Sequence, residues 1–282
     1  MRVDTIGIIG AGTMGSGIAQ ICAAIALNVI LNDVSDAIVD KGVATIGRNL
    51  DRLVAKGKIS PANKEAALAC IKHSTNYNDM VAADIVIEAA TENLEVKQTI
   101  LRQIDHVIRP DAIIASNTSS VSITKLAAGV SHSDRVIGLH FFNPVPAMAL
   151  VEIVRGLQTS DATHDAVEEF ATKLGKTPIT VRSTPGFVVN RVLLPMLNEA
   201  FFVLAEGEAG ATEIDEGMKL GCNHPIGPLA LADLIGLDVL LSVMQTIHDE
   251  FGDSKYRPAP LLRELVAAGY LGRKSGRGVY RY

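Results

Sequence analysis

The feature that most constrains this chain lies at its N-terminal end. Thr5 to Gly10, TIGIIG, is a short apolar run that reads as a buried parallel strand. Gly10-Ala11-Gly12-Thr13-Met14-Gly15 follows at once with GxGxxG spacing. Met14 to Ala26 then has helical composition, and Asn28 to Asn32 reads as a second strand. Asp33 ends that strand, about 20 residues beyond the glycines. Each part has a mechanical reason. Gly10 allows a tight turn, Gly12 lets backbone approach a pyrophosphate, and Gly15 lets the helix lie close to the strand. The helix N-terminus offers unpaired N–H groups and partial positive charge to the phosphates. Asp33 would accept hydrogen bonds from the adenosine ribose and repel a 2′-phosphate, which predicts NAD rather than NADP. Glycines also punctuate ligand-free loops, but here strand, glycines, helix, second strand and acid all agree.

The stretch from Thr5 to Asn32 has no charged residue and is long enough for a membrane span. Its glycines, with Thr13, Ser16, Gln20 and Asn28, suit a strand–turn–helix–strand unit better, so neither a membrane segment nor a targeting signal is expected. A cytoplasmic location is the corresponding expectation. The 282 residues suggest two domains. A net charge of −5 and the absence of Trp argue against a nucleic-acid partner. Cys22, Cys70 and Cys222 are widely spaced and odd in number, which fits a reducing compartment and predicts no metal site.

After Asp33 the next clear strand is not expected before Ala83–Glu88. The interval reads as a helical insertion, residues 35–75, with one helix over Ser35–Lys56 and another starting at Ser60-Pro61. Arg48, Arg52 and Lys56 recur every four residues and share a face. That face is either a solvated helix surface or a landing site for an anionic group.

Strands are further predicted at Ala112–Ala115, Val136–Phe142, Ala149–Val154 and Thr177–Val181, for about eight in all. Glu92 and Lys97 fall at the carboxyl end of a strand, where ligands bind in open parallel sheets. Ser116-Asn117-Thr118-Ser119-Ser120 is a polar cluster at another such end, suited either to a ligand or to a plain capping turn. His140 sits in one apolar strand and Glu152 in the next. If the two pair antiparallel about Pro146, residues equidistant from it face each other, His140 and Glu152 among them. A carboxylate on one imidazole nitrogen fixes the tautomer and leaves the other to exchange a proton. The pair is then either a general acid/base dyad or a structural buried ion pair.

From Thr184 the pattern is helical: one helix from Thr184 to about Gly207, a capping-box-like start at Thr212-Glu213-Ile214-Asp215, a third helix over Pro228–Phe251, and a fourth over Pro260–Ala268. The expected fold is therefore an α/β Rossmann-type domain over residues 1–183, its sheet largely parallel with the last two strands antiparallel to the rest. An all-α domain follows over residues 184–282.

GAGTMGSGIAQ (10–20), EAATENLEVK (88–97), SNTSS (116–120), GLHFFNPVPAM (138–148), TPGFVVNR (184–191) and GRKSGRGVY (272–280) occur in this order. Together they make the chain resemble the 3-hydroxyacyl-CoA dehydrogenase family over its whole length, above all its short-chain bacterial members. The resemblance implies reversible, NAD-dependent oxidation of a short-chain (S)-3-hydroxyacyl-CoA such as 3-hydroxybutyryl-CoA. It implies His140 as catalytic base, Glu152 as its orienting carboxylate, and Ser119 and Asn190 as residues that hold the substrate. Gly10, Ala11, Gly12, Thr13, Met14, Gly15 and Asp33 correspond to the NAD site. Glu92, Lys97, Asn143 and Lys274 correspond to further cofactor contacts. Arg52 and Lys56 correspond to the coenzyme A contact region, which favours the ligand reading of the basic face. A homodimer formed through the helical domain is also implied. Two competing readings share the scaffold. One is an NAD-dependent dehydrogenase of a free hydroxy acid such as L-gulonate. The other is a non-catalytic, crystallin-like NAD-binding protein.

Overall fold

The computed structural model describes residues 2–282, which divide into two compact units, Met1–Ser183 and Thr184–Tyr282. The first alternates strands and helices. It runs β1 (Thr5–Ile9), α1 (Thr13–Ala24), β2 (Asn28–Asn32), α2 (Asp36–Ala55), α3 (Pro61–Ala69), β3 (Ile71–Ser74) and β4 (Ile85–Glu88). It continues with α4 (Leu94–Asp105), β5 (Ile113–Ser116), α5 (Ile123–Ala127), β6 (Val136–Phe141), β7 (Leu150–Arg155), α6 (Asp161–Lys173) and β8 (Thr177–Arg182). The strands form one sheet in the order β3-β2-β1-β4-β5-β6-β7-β8. Pairing is parallel except between β6 and β7. Because β8 is parallel to β7, the last two strands oppose the rest, as the sequence predicts.

The apolar strands are apolar because both faces are covered. Ile6, Ile8, Ile85 and Ile87 are fully buried, and α1 packs Ile18, Ala19 and Cys22 into the same core. Burial pushes the Cys22 thiol well above its usual range, so it packs as a small apolar group. The strand order reverses between β1 and β4, which puts the crevice of the sheet at the carboxyl ends of β1, β4 and β5.

One strand was not anticipated. Ile71-Lys72-His73-Ser74 is the edge strand β3, paired parallel with β2, so the segment 35–75 is not wholly helical. Its exposed Lys72 and His73 hide the apolar signal of a strand, as is common at a sheet edge. The helical part of that expectation holds: Ser60 caps α3 by accepting from the Asn63 amide at 3.1 Å, with Pro61 in the first turn.

The second unit contains α7 (Val189–Glu206), α8 (Ala211–Cys222), α9 (Pro228–Ile235), α10 (Leu237–Phe251) and α11 (Pro260–Ala267). They enclose a core that includes Leu197, Phe201, Leu229, Leu240, Met244 and Leu262. Two expectations need correction here. The single helix over Pro228–Phe251 is two helices, broken at Gly236 (φ +105°) and bent by 96°. The capping box at Thr212 does not form, since Gly210 is the N-cap and offers no side chain. Asp215 instead caps the next helix, accepting from the amides of Leu229 at 2.7 Å and Ala230 at 2.9 Å. Gly227, the N-cap of α9, cannot satisfy those donors itself.

Candidate active site

At the carboxyl end of β1 the chain turns through Gly10, whose φ is +101°. A Cβ there would lie 2.6 Å from the Ala89 carbonyl oxygen, and a Cβ on Gly15 would overlap the Gly10 carbonyl oxygen. These two glycines are demanded by protein packing alone. Gly12 differs: a Cβ on it would meet nothing within 4 Å. It is exposed and forms the N-cap of α1 with no side-chain cap and no acidic residue in the first turn. The first-turn amides of α1 thus point past an open Gly12, as a diphosphate requires. Asp33 lies at the end of β2, with Oδ2 accepting from the Ala11 amide at 2.7 Å and Oδ1 from the Val34 amide at 2.7 Å. Two amides thereby fix a carboxylate beside the glycine turn. Open Gly12, uncapped α1, Ala11, Thr13, Met14 and fixed Asp33 fit the diphosphate and ribose of a dinucleotide.

Three strands from β1, β6 pairs antiparallel with β7, with His140 directly opposite Glu152. His140 Nδ1 and Glu152 Oε2 are 2.7 Å apart, with the side chains 5 % and 0 % exposed. A carboxylate only accepts, so Nδ1 carries the hydrogen and Nε2 is the accepting nitrogen. Ser119 Oγ lies 3.2 Å from Nε2. Ser119 belongs to the loop that leaves β5, whose carboxyl end is on the same side of the sheet as that of β6. Asn117 joins loop and strand: its buried Oδ1 accepts from the Phe141 amide at 2.9 Å, next to His140. Asn143 is exposed two residues past β6.

Glu92 accepts from the Thr118 hydroxyl at 2.7 Å and the Ser119 amide at 2.6 Å. Lys97, expected as a cofactor contact, lies in the first turn of α4. Its side chain is fully buried, with Nζ 2.6 Å from Glu88 Oε2 and 3.8 Å from Glu92 Oε2. Ser116, from the predicted polar cluster, is fully buried with it; Glu88 was not predicted as a site residue, although a charge in the apolar strand Ile85–Glu88 calls for a buried partner.

Arg52 and Lys56 are exposed one turn apart at the end of α2, and among the described residues neither is held in an ion pair. Two predicted site residues lie in the helical unit. Asn190 is half-buried in the first turn of α7, and Lys274 pairs with Asp238 at 2.6 Å.

A mostly parallel sheet with this strand order, an open glycine turn and a buried His–Glu pair define a Rossmann-type oxidoreductase scaffold. The model of the 3-hydroxyacyl-CoA dehydrogenase NAD binding domain matches residues 5–184, and that of the 3-hydroxyacyl-CoA dehydrogenase C-terminal domain matches residues 186–282. The 3-hydroxybutyryl-CoA dehydrogenase of Bradyrhizobium diazoefficiens is 50 % identical over 280 residues, covering 99 % of this chain and 96 % of the relative. The 3-hydroxybutyryl-CoA dehydrogenase of Clostridioides difficile is 48 % identical over 277 residues, covering 98 % and 99 %. The crystal structure of (S)-3-hydroxybutyryl-CoA dehydrogenase PaaH1 from Ralstonia eutropha superposes with a TM-score of 0.98 at 66 % identity, covering 100 % of this chain and 99 % of that one. The chain belongs to the 3-hydroxyacyl-CoA dehydrogenase family, and its sheet unit carries that family's NAD-binding domain.

Proposed function

We propose that the chain catalyses the reversible oxidation of (S)-3-hydroxybutyryl-CoA to acetoacetyl-CoA with NAD. The observation that carries this is the His140–Glu152 pair at 2.7 Å with Ser119 at 3.2 Å from the opposite ring nitrogen. His140 Nε2 takes the proton of the substrate 3-hydroxyl, and Glu152 stabilises the imidazolium that results. The Ser119 hydroxyl holds the reacting oxygen beside Nε2. In the reverse direction the imidazolium returns the proton to the 3-keto oxygen. NAD bound at Gly10–Gly15 and Asp33 supplies the acceptor for the hydride that leaves C3. Asn143 holds the nicotinamide end of the site, and Asn190 holds the thioester end of the substrate. Arg52 and Lys56 attract the phosphates of coenzyme A, a role supported by their exposure and lack of ion-pair partners among the described residues. Glu92 and Lys97, which share the carboxyl end of β4, complete the cofactor side of the site.

We also infer a homodimer through the helical unit, whose Val192, Leu220 and Leu234 are exposed apolar side chains. The free thiols of Cys22, Cys70 and Cys222 are in keeping with a reducing, cytoplasmic setting.

The test is loss of NADH absorbance on mixing the protein with acetoacetyl-CoA, with NADPH and free acetoacetate in parallel. The reading expects loss only with NADH and the thioester. Equal turnover of free acetoacetate would overturn the coenzyme A assignment, and NADH binding without any turnover would overturn the catalytic one.

A further inference from the structure

The hairpin that carries His140 on β6 and Glu152 on β7 turns through residues 142–149. Pro144 and Pro146 remove two backbone donors from that turn. The Pro144 carbonyl accepts from the amides of Ala147 at 2.9 Å and Met148 at 3.0 Å. The carbonyls of Val145 and Met148 take their donor from a side chain instead: Lys176 Nζ donates to them at 2.6 Å and 2.7 Å. Lys176 lies between α6 and β8, where the chain turns at Gly175 (φ +73°), and it is only 9 % exposed. Among the described residues no carboxylate pairs with it, and burial holds its pKa below the ordinary 10.5. A buried ammonium with no anion beside it is costly. An apolar side chain would avoid that cost but would leave both carbonyls without their donor.

The residue so held also touches the cofactor helix. Val145 is buried in the core of the sheet unit and packs on α1 at Gly17. A Cβ on Gly17 would lie 2.8 Å from Val145 Cβ and 3.0 Å from its Cγ2, so helix and turn are in close contact there. Gly17 stands two residues past Gly15, on the helix whose first-turn amides face the diphosphate position. Asn143 precedes Val145 by two residues, and His140 precedes Asn143 by three. The turn therefore joins the strand pair that moves the proton to the helix that holds the dinucleotide, and Lys176 grips the turn at that junction. Hydrogen bonds from a charged donor are stronger than neutral ones, which suits a tie that must hold position.

We propose that Lys176 is a positioning residue for hydride transfer: it pins the hairpin turn to α1 and so sets the spacing between the cofactor on α1 and the substrate oxygen at His140. Both of its bonded carbonyls belong to the turn, so it acts through the turn. The proposal rests on the reading of His140 as the acid/base and of α1 as the cofactor helix. Loss of the tie leaves the His140–Glu152 register intact, because strand pairing fixes it, but lets the turn and Asn143 shift against α1.

The experiment measures kcat, KM for acetoacetyl-CoA, NADH Kd by fluorescence and Tm for the full chain and its Lys176→Met, Lys176→Arg and Val145→Ala variants. Lys176→Met keeps the length of the side chain and removes its donors. It should lower kcat about ten- to a hundredfold, the scale of a small misplacement of reacting groups. KM and NADH Kd should stay within about threefold of the parent, since the glycine turn and Asp33 are untouched. Lys176→Arg keeps charged donors and should recover part of kcat. Val145→Ala loosens the same junction from the α1 side with the carbonyl bonds in place. It should show the same split between kcat and Kd, and it decides the question should Lys176→Met lose its fold. Parental kcat in the folded variants would overturn the proposal and make Lys176 a structural tie alone. A rise in NADH Kd as large as the fall in kcat would also overturn it, because the turn would then govern cofactor affinity rather than alignment. Near-normal turnover by His140→Ala would instead overturn the reading of His140 beneath it.

Discussion

His140 and Glu152 face each other across the one antiparallel step of the sheet, Nδ1 to Oε2 at 2.7 Å, both within the buried interior. The hairpin makes their separation a property of strand register rather than of loop conformation. The carboxylate keeps the hydrogen on Nδ1 and Nε2 ready to accept a proton. Glu152→Gln keeps the size but can present its amide N–H₂ to the ring, which stabilises the opposite tautomer with hydrogen on Nε2. That tautomer cannot act as the base. We expect kcat to fall by roughly 10²–10⁴, the contribution of a positioned acid/base, with NADH affinity retained. Turnover close to the parent's would show that the pair is purely structural.

The glycine turn separates two functions of glycine. At Gly15 an added Cβ collides with backbone, so Gly15→Ala should lower Tm and abolish cofactor binding together. At Gly12 the added methyl meets no protein atom, so Gly12→Ala should keep the parent's Tm. It should still weaken NADH binding at least tenfold, because the methyl occupies the approach to the α1 amides. Thermal melts beside NADH titrations separate the two. Unchanged NADH affinity in Gly12→Ala would mean that the diphosphate does not lie there.

What the sequence makes legible here is whatever depends on periodicity or fixed spacing. β1–α1–β2 follows from an apolar run, three glycines and an acid. The His140–Glu152 contact follows from symmetry about Pro146, because an antiparallel pair has one register once its turn is placed. Edge strand β3 escaped because a strand solvated on its outer side needs no apolar alternation. The break at Gly236 escaped because the pattern is helical on both sides and only the backbone angle reveals the bend. The Lys97 environment escaped for a different reason. Glu88, Glu92, Lys97 and Ser116 come from two adjacent strands, the loop after β4 and the start of α4, and no local rule tells which carboxylate a buried lysine will choose.

Arg52 and Lys56 offer a test of the coenzyme A assignment that does not disturb the chemistry. Both are exposed at the end of α2, so replacing them with Ala should change stability by no more than about 0.5 kcal/mol. The double variant should raise KM for acetoacetyl-CoA about tenfold or more, with the penalty on KM rather than kcat. The increase should shrink at high salt, where exposed charges are screened. Acetoacetyl-pantetheine, which lacks the nucleotide phosphates, should show no such difference. An equal effect on both thioesters would place the coenzyme A phosphates elsewhere.

Asp84 precedes β4 and ties down the start of β1, accepting from the amides of Asp4 at 2.8 Å and Thr5 at 2.9 Å and from Arg109 at 2.6 Å. Burial alone would raise its pKa. The two amides and the Arg109 guanidinium outweigh burial and hold the carboxyl below its ordinary 3.8. A carboxyl whose pKa is lower folded than unfolded contributes stability above the unfolded value. That contribution is lost as pH falls through the folded value, when the native state must take up the proton as well. Asp84→Ala should therefore cost about 1–3 kcal/mol at neutral pH, the scale of hydrogen bonds to a charged group. The gap between variant and parent should stay constant down to about pH 5 and close at more acidic pH. Denaturant melts from pH 7 to pH 3 check this. A gap that widens as pH falls would reverse the sign and show that Asp84 is destabilised, not stabilised, as a carboxylate.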